Sequence, residues 1–279
     1  MTAPLVSTQW VADHLNQPGI RLVEVDVVPF KYQSAGHLRG AVSFDWTSQL
    51  QDPTRRDIIS PSGFERLLSD AGITNDDHVI IYGDQNNWFA AYGFWLFSLY
   101  GHTNLSLMDG GRLLWIEEKR EIIHDIPQFP RSDYRVHTIN PEIRADRQFI
   151  LDRLEQSDTL LLDVRSENEF AGEWVAPIGD RLTAHRGGHI PGAHNLPWSR
   201  LMNEDGTFLG ADAMRRILAA EGIDLGADEI VTYCFIGERA AHTWFALKYI
   251  LGCQNVRNYD GSWTEWGNGI GLPITQGVA

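Results

Sequence analysis

The chain has 279 residues, 43% hydrophobic and 11% aromatic, enough apolar material for one large packed domain or two ordinary ones, which excludes disordered, collagen-like and low-complexity chains. A formal net charge of -14 without any Lys/Arg cluster excludes nucleic acid as a partner, and no apolar run approaches the length a bilayer requires. Residues 1–10 carry neither a basic segment nor a signal-like apolar run, so the expectation is a cytoplasmic protein with no membrane partner.

In chain order, residues 21–28 read as a β-branched strand, 61–70 as a helix opening after Ser60, and 78–82 as a buried strand. An aromatic helix follows over 88–100 and stops at Gly101, a residue suited to the left-handed position that ends a helix. Pro127, Pro130 and Pro141 then lie among polar residues, the composition of an extended linker. After it the order returns: strand 159–164, helix 211–221, strand 229–233, and helix 240–251 ending at Gly252. Alternating strands and helices predict an α/β fold with a parallel sheet covered on both faces.

The recurrence is also literal. Gly36-His37-Leu38-Arg39-Gly40-Ala41 returns as Gly188-His189-Ile190-Pro191-Gly192-Ala193, Ile80-Ile81-Tyr82-Gly83 as Val231-Thr232-Tyr233-Cys234, and Asp109-Gly110 with Trp115 as Asp260-Gly261 with Trp266, at a nearly constant offset. The predicted organisation is one domain over 1–123, a linker over 124–142 and a second domain over 143–279.

Two cysteines, Cys234 and Cys253, are too few for a disulfide framework and lack zinc-ligand spacing, so a thiol in a reducing compartment stays free to react. Cys234 falls where a buried strand turns into a helix, the position at which open α/β sheets bind ligands. In the loop Cys234-Phe235-Ile236-Gly237-Glu238-Arg239, inward N–H groups and the helix dipole would lower the thiol pKa, Gly237 would let the loop turn tightly, and Arg239 would add a fixed positive charge. Glu238 is expected to point to solvent, since an inward carboxylate would oppose a bound anion. Cys253 reads as a small buried residue.

The paired His-Ile-Pro-Gly-Ala-type motifs, the Tyr-Cys-Phe-Ile-Gly-Glu-Arg loop and the closing Asn258-Tyr259-Asp260-Gly261-Ser262-Trp263-Thr264-Glu265-Trp266 together resemble the tandem-domain thiosulfate sulfurtransferases of the rhodanese family, over nearly the whole chain. That resemblance implies two rhodanese-like domains, each a mostly parallel sheet with helices on both faces. It also implies a ping-pong reaction in which Cys234 takes a sulfane sulfur from thiosulfate or a related small anion, becomes a persulfide, and passes the sulfur to cyanide or a thiol acceptor such as a thioredoxin-like protein. It implies no metal or organic cofactor. Phosphatases and arsenate reductases of the same fold use a loop with five residues between Cys and Arg; here four intervene, a smaller cradle suited to one persulfide sulfur.

In the first domain Gly83 stands at the position of Cys234, followed by Asp84-Gln85-Asn86-Asn87-Trp88 with no cation, so that copy is expected to be inactive and to wall the cleft. The resemblance assigns substrate binding to Arg186, with Arg181 the weaker candidate, alongside the loop residues Phe235, Ile236, Gly237, Glu238 and Arg239. Asp163 and Arg165 are expected to form a bracing ion pair, and Glu169 occupies a position where some family members carry an arginine. Phe235 follows the cysteine where thiosulfate-preferring members have a basic residue and mercaptopyruvate-preferring members have glycine, which leaves a mercaptopyruvate sulfurtransferase or a sulfur-delivery protein as alternatives. His189 recurs as His37 in the inactive half, favouring a structural role for it over metal or acid-base work by His185, His189, His194 or His242.

Overall fold

The computed structural model describes residues 3–15, 17–27, 30–177 and 182–277. The chain divides into two compact units, one of residues up to Asn140 with Glu204–Thr207, the other of Pro141–Asn203 with the residues from Phe208 on.

The first unit contains β1 (Leu5–Val6), α1 (Thr8–His14), β2 (Ile20–Asp26), α2 (Phe30–Ser34), β3 (Ala41–Asp45), α3 (Trp46–Gln49), α4 (Pro61–Asp70), β4 (His78–Tyr82), α5 (Trp88–Leu99), β5 (Leu105–Met108) and α6 (Gly111–Glu117). Its sheet has the order β1-β5-β4-β2-β3 with every pairing parallel. β4 is central and wholly buried, as its uninterrupted apolar run requires of a strand covered on both faces. α5 is apolar all round and ten of its twelve residues are buried, whereas α4 is amphipathic and turns Phe64 and Leu68 inward. Ser60 caps α4 by accepting from the Gly63 N–H, and Pro61 supplies a first turn that needs no donor.

The second unit repeats this plan with β6 (Arg144–Ala145), α7 (Arg147–Leu151), β7 (Thr159–Asp163), α8 (Glu167–Ala171), β8 (His194–Asn195), α9 (Ala211–Ala220), β9 (Glu229–Tyr233), α10 (Glu238–Phe245), β10 (Val256–Tyr259) and α11 (Ser262–Trp266). The order β6-β10-β9-β7-β8, again all parallel, reproduces the first sheet strand for strand. The predicted helix 240–251 begins two residues earlier, at Glu238, and passes after Phe245 into a π-helical turn, Ala246–Ile250. Gly101 and Gly252 both adopt the expected left-handed conformation.

Most of the stretch expected to be an extended linker is irregular, and it hydrogen-bonds to the first unit. The N–H groups of Ser132, Tyr134, Val136 and Asn140 donate to Ser69 O, Ser69 Oγ, Glu65 Oε1 and Leu99 O, and the Tyr134 side chain is buried. Among the described residues no helix is long and apolar enough to cross a membrane.

Candidate active site

At the end of β9 the chain leaves the sheet through Cys234, crosses Phe235 and Ile236, turns at Gly237 and enters α10. Gly237 has φ +98, and a Cβ there would lie 2.8 Å from the Asp260 backbone, so the turn and its close neighbour both require glycine. The Gly237 N–H donates to Cys234 Sγ at 3.1 Å, which places the sulfur at the N-terminus of α10. The first turn of α11, after β10, braces the loop: Ser262 Oγ accepts from the Cys234 N–H at 3.0 Å, while the N–H groups of Trp263 and Thr264 donate to the carbonyls of Cys234 and Phe235. Nothing in the motif itself marked Ser262 for this role, which only the fold reveals.

The expected outward Glu238 is instead buried. Cys234 Sγ–H donates to its Oε2 at 3.4 Å, and its Oε1 lies 3.4 Å from Arg239 Nε. The reason is geometric: position 238 opens α10, so its side chain falls on the N-terminal face against the loop it has just left. This changes the electrostatics. Burial, and then the Glu238 charge, push the Cys234 thiol up to about 12, against the opposing pull of Arg239 and of the Ala240 and Gly237 N–H groups. The lowered thiol pKa expected from the helix dipole alone is therefore overridden by desolvation and a neighbouring carboxylate. Burial also raises Glu238, with Arg239 pulling the other way.

Arg239 is buried and forks onto Glu169, Nη1 to Oε2 at 2.9 Å and Nη2 to Oε1 at 3.0 Å. Glu169 also closes a capping box at the head of α8, accepting from the N–H and Oγ–H of Ser166. Removing one member of such a buried pair costs about 3–5 kcal/mol. Glu169 thus serves as the partner that lets a buried Arg239 exist, where the sequence had shown only the loss of a cation. The Arg239, Ser166 and Arg165 contributions outweigh burial and hold the Glu169 carboxyl below the usual range.

The Arg186 guanidinium donates to the carbonyls of Gly267, Leu272, Trp266 and Gly269, tying down the C-terminal segment. Arg181 lies outside the described residues. Asp163 and Arg165 form the expected pair, fully buried, with Arg165 also donating to Gly188 O and lying 4.4 Å over the Trp263 ring. Phe235 and Ile236 are buried beside the cysteine, and Cys253 is half-buried.

His189 stacks on Phe170 and reaches its carbonyl through Nδ1, as His37 does with Tyr32, so the repeated histidine is structural in both units. His242 is buried against Phe208, and burial holds its pKa down at about 3. Among the described residues no group of His, Cys, Asp or Glu could hold a metal.

The first unit shows how the same frame is closed. A Cβ at Gly83 would meet Val25 O at 2.4 Å, so no cysteine fits there. Gln85, Asn86 and Asn87 are successively left-handed, and Asn87 at the position of Glu238 accepts from the Gly83 N–H and donates to Met108 O. The Arg165–Trp263 arrangement is inverted as well: Asp26 and Arg112 occupy the corresponding positions, and Arg112 donates to Gly36 O as Arg165 does to Gly188 O. Asp84 receives Arg112 at 3.6 Å and Lys31 at 3.3 Å, so the cations absent from the loop come from elsewhere in the unit.

The profile of the rhodanese-like domain matches the chain twice, over residues 7–118 and 146–268. The chain belongs to the rhodanese family. A Haloferax volcanii protein provisionally named as a thiosulfate sulfurtransferase is 48% identical over 278 residues, covering 98% of this chain and 96% of the relative. The sulfur carrier protein TtuD of Thermus thermophilus is 46% identical over 277 residues, covering 98% and 96%. Among solved structures, the 3-mercaptopyruvate enzyme SseA of Escherichia coli superposes with a TM-score of 0.81 at 27% identity, covering 94% of this chain and 99% of that one. This rhodanese is accordingly a sulfurtransferase of tandem architecture that moves sulfane sulfur through a persulfide.

Proposed function

We propose that Cys234 is the nucleophile and persulfide carrier, that thiosulfate is its donor, and that cyanide or a thiol accepts the sulfur. The observation that carries this reading is the Cys234 sulfur at the strand-to-helix turn of the second unit, taking the Gly237 N–H at 3.1 Å. A persulfide formed there would carry its terminal negative charge at a helix N-terminus, where backbone donors and the dipole favour it. Arg239, turned onto Glu169, acts as a positioning residue that fixes the first turn of α10. That commitment favours sulfur over phosphate chemistry, which needs a guanidinium free to clasp a tetrahedral anion. Phe235, Ile236 and Gly237 shape the loop, the two apolar side chains shielding the persulfide from water. Thiosulfate is preferred as donor on the similarity to the Haloferax volcanii protein, against the lower identity to the mercaptopyruvate enzyme. The likeness to a named sulfur carrier favours delivery of the same sulfur to a partner protein's thiol as a second outlet. Free thiols at Cys234 and Cys253 suit the reducing cytoplasm, where we place the chain.

Thiocyanate formation from cyanide, with thiosulfate and separately with 3-mercaptopyruvate, tests the donor. Faster turnover with thiosulfate is expected, and Cys234→Ser abolishes it with either donor. Faster turnover with mercaptopyruvate reassigns the donor, and undiminished turnover in Cys234→Ser removes the residue assignment.

A further inference from the structure

A thiol pushed up to about 12 inside a buried loop cannot supply a thiolate at neutral pH by equilibration with solvent at a useful level, so its proton needs an acceptor within the site. Cys234 Sγ faces the N–H groups of Gly237 and Ala240, which can only donate, and the Glu238 carboxylate, which can only accept while ionised. Glu238 is itself buried, held between the thiol on Oε2 and Arg239 on Oε1, with Glu169 of α8 behind Arg239. In the first unit both partners are missing together: Gly83 replaces the cysteine, and the amide of Asn87, which cannot act as a base, replaces the glutamate.

We propose that Glu238 is a catalytic residue, the general base that takes the Cys234 proton through Oε2 as the sulfur attacks and then returns it to the leaving group. The assignment rests on the reading of Cys234 as persulfide carrier. With thiosulfate the step balances without an oxidant. Sγ bonds to the sulfane sulfur, the donor S–S bond breaks with its electron pair staying on sulfite, and the thiol proton passes by way of Glu238 to sulfite. Thiol and thiosulfate become enzyme persulfide anion and hydrogen sulfite. Because the proton only changes place within the Cys234–Glu238 pair, the reactive thiolate form carries the same net charge as the resting one, and its population does not depend on pH once Glu238 is ionised.

The test is made on the full chain in a Cys253→Ser background, comparing Glu238 with Glu238→Gln and Glu238→Asp. Two rates are followed from mildly acidic to alkaline pH: alkylation of Cys234 by iodoacetamide, and single-turnover persulfide formation from thiosulfate. The expectation is a wild-type alkylation rate that levels off once Glu238 is ionised. In Glu238→Gln that rate should climb about tenfold per pH unit through the same range. Persulfide formation in the same variant should fall about a hundredfold at neutral pH. Glu238→Asp, which keeps a base at longer reach, should retain the plateau at an intermediate rate and covers the case of a misfolded glutamine variant. If Glu238→Gln reacts at neutral pH as fast as the wild type or faster, the carboxylate merely burdens the thiol and the proposal is overturned, as it is if Glu238→Asp loses the plateau. Alkylation that behaves as expected while thiosulfate transfers no sulfur upholds the base and rejects the donor.

Discussion

Glu24 and Asp26 are carboxyls buried at the end of β2, and burial pushes them up to about 7 and about 6 respectively, with Asp84 adding to both shifts. His242 is the opposite case, a buried imidazole held at about 3 by burial alone. The signs follow from proton linkage. Folded Glu24 and Asp26 bind protons that the unfolded chain has released, so the first unit loses stability as pH rises from about 4 to about 7. Folded His242 refuses a proton that the unfolded chain takes below about 6.5, so the second unit loses stability as pH falls toward about 3. Glu24→Gln should therefore raise the thermal midpoint of the first unit more at about pH 8 than at about pH 5, and His242→Phe that of the second more at about pH 4 than at about pH 8. Equal shifts across pH for either variant would contradict the assignment. None of this was legible in the sequence. Strand alternation locates a carboxylate at a strand end but gives no measure of how completely later elements cover it.

The strand-to-helix loops carry the difference between the two units. The sequence identified Cys234, Gly237 and the helix beyond because each depends on local chemistry: a buried β-rich run, a residue free to adopt positive φ, and a helix following at once. It misread the direction of Glu238 and did not show the carbonyl partners of Arg186, because both are set by the folded surroundings of the side chain. Glu238 turns inward on the first turn of α10, and Arg186 finds four carbonyls between Trp266 and Leu272. Glu169 and Ser262, similarly distant from the cysteine in sequence, showed their roles only in three dimensions. At Gly237 the account predicts a double penalty. Gly237→Ala puts an L-residue into the left-handed region and its Cβ against the Asp260 backbone, which should destabilise the second unit by about 1–3 kcal/mol. Persulfide formation should slow as the N–H moves off Sγ. Denaturant unfolding with single-turnover kinetics checks this; unchanged stability would mean the loop relaxes freely.

Across the whole molecule, the near-constant offset between repeated motifs foretold two units of one topology, and the sheets agree strand for strand. Edge strands of two to five residues, such as β1, β6 and β8, were too short to show a period, so the sheet order came from the structure. The two units differ at the strand-to-helix loop. In the first unit, glycine under Val25 O, a run of left-handed residues and an inward asparagine have closed the loop, while the second retains thiol, carboxylate and backbone donor within hydrogen-bonding distance. The most direct test of the central claim is the intact mass of the protein after incubation with thiosulfate, with Cys234→Ser and Cys253→Ser measured in parallel. The account predicts a gain of one sulfur atom in the wild type and in Cys253→Ser, reversed by cyanide and absent in Cys234→Ser. A sulfur adduct that persists in Cys234→Ser and disappears in Cys253→Ser would place the chemistry at the other thiol and contradict it.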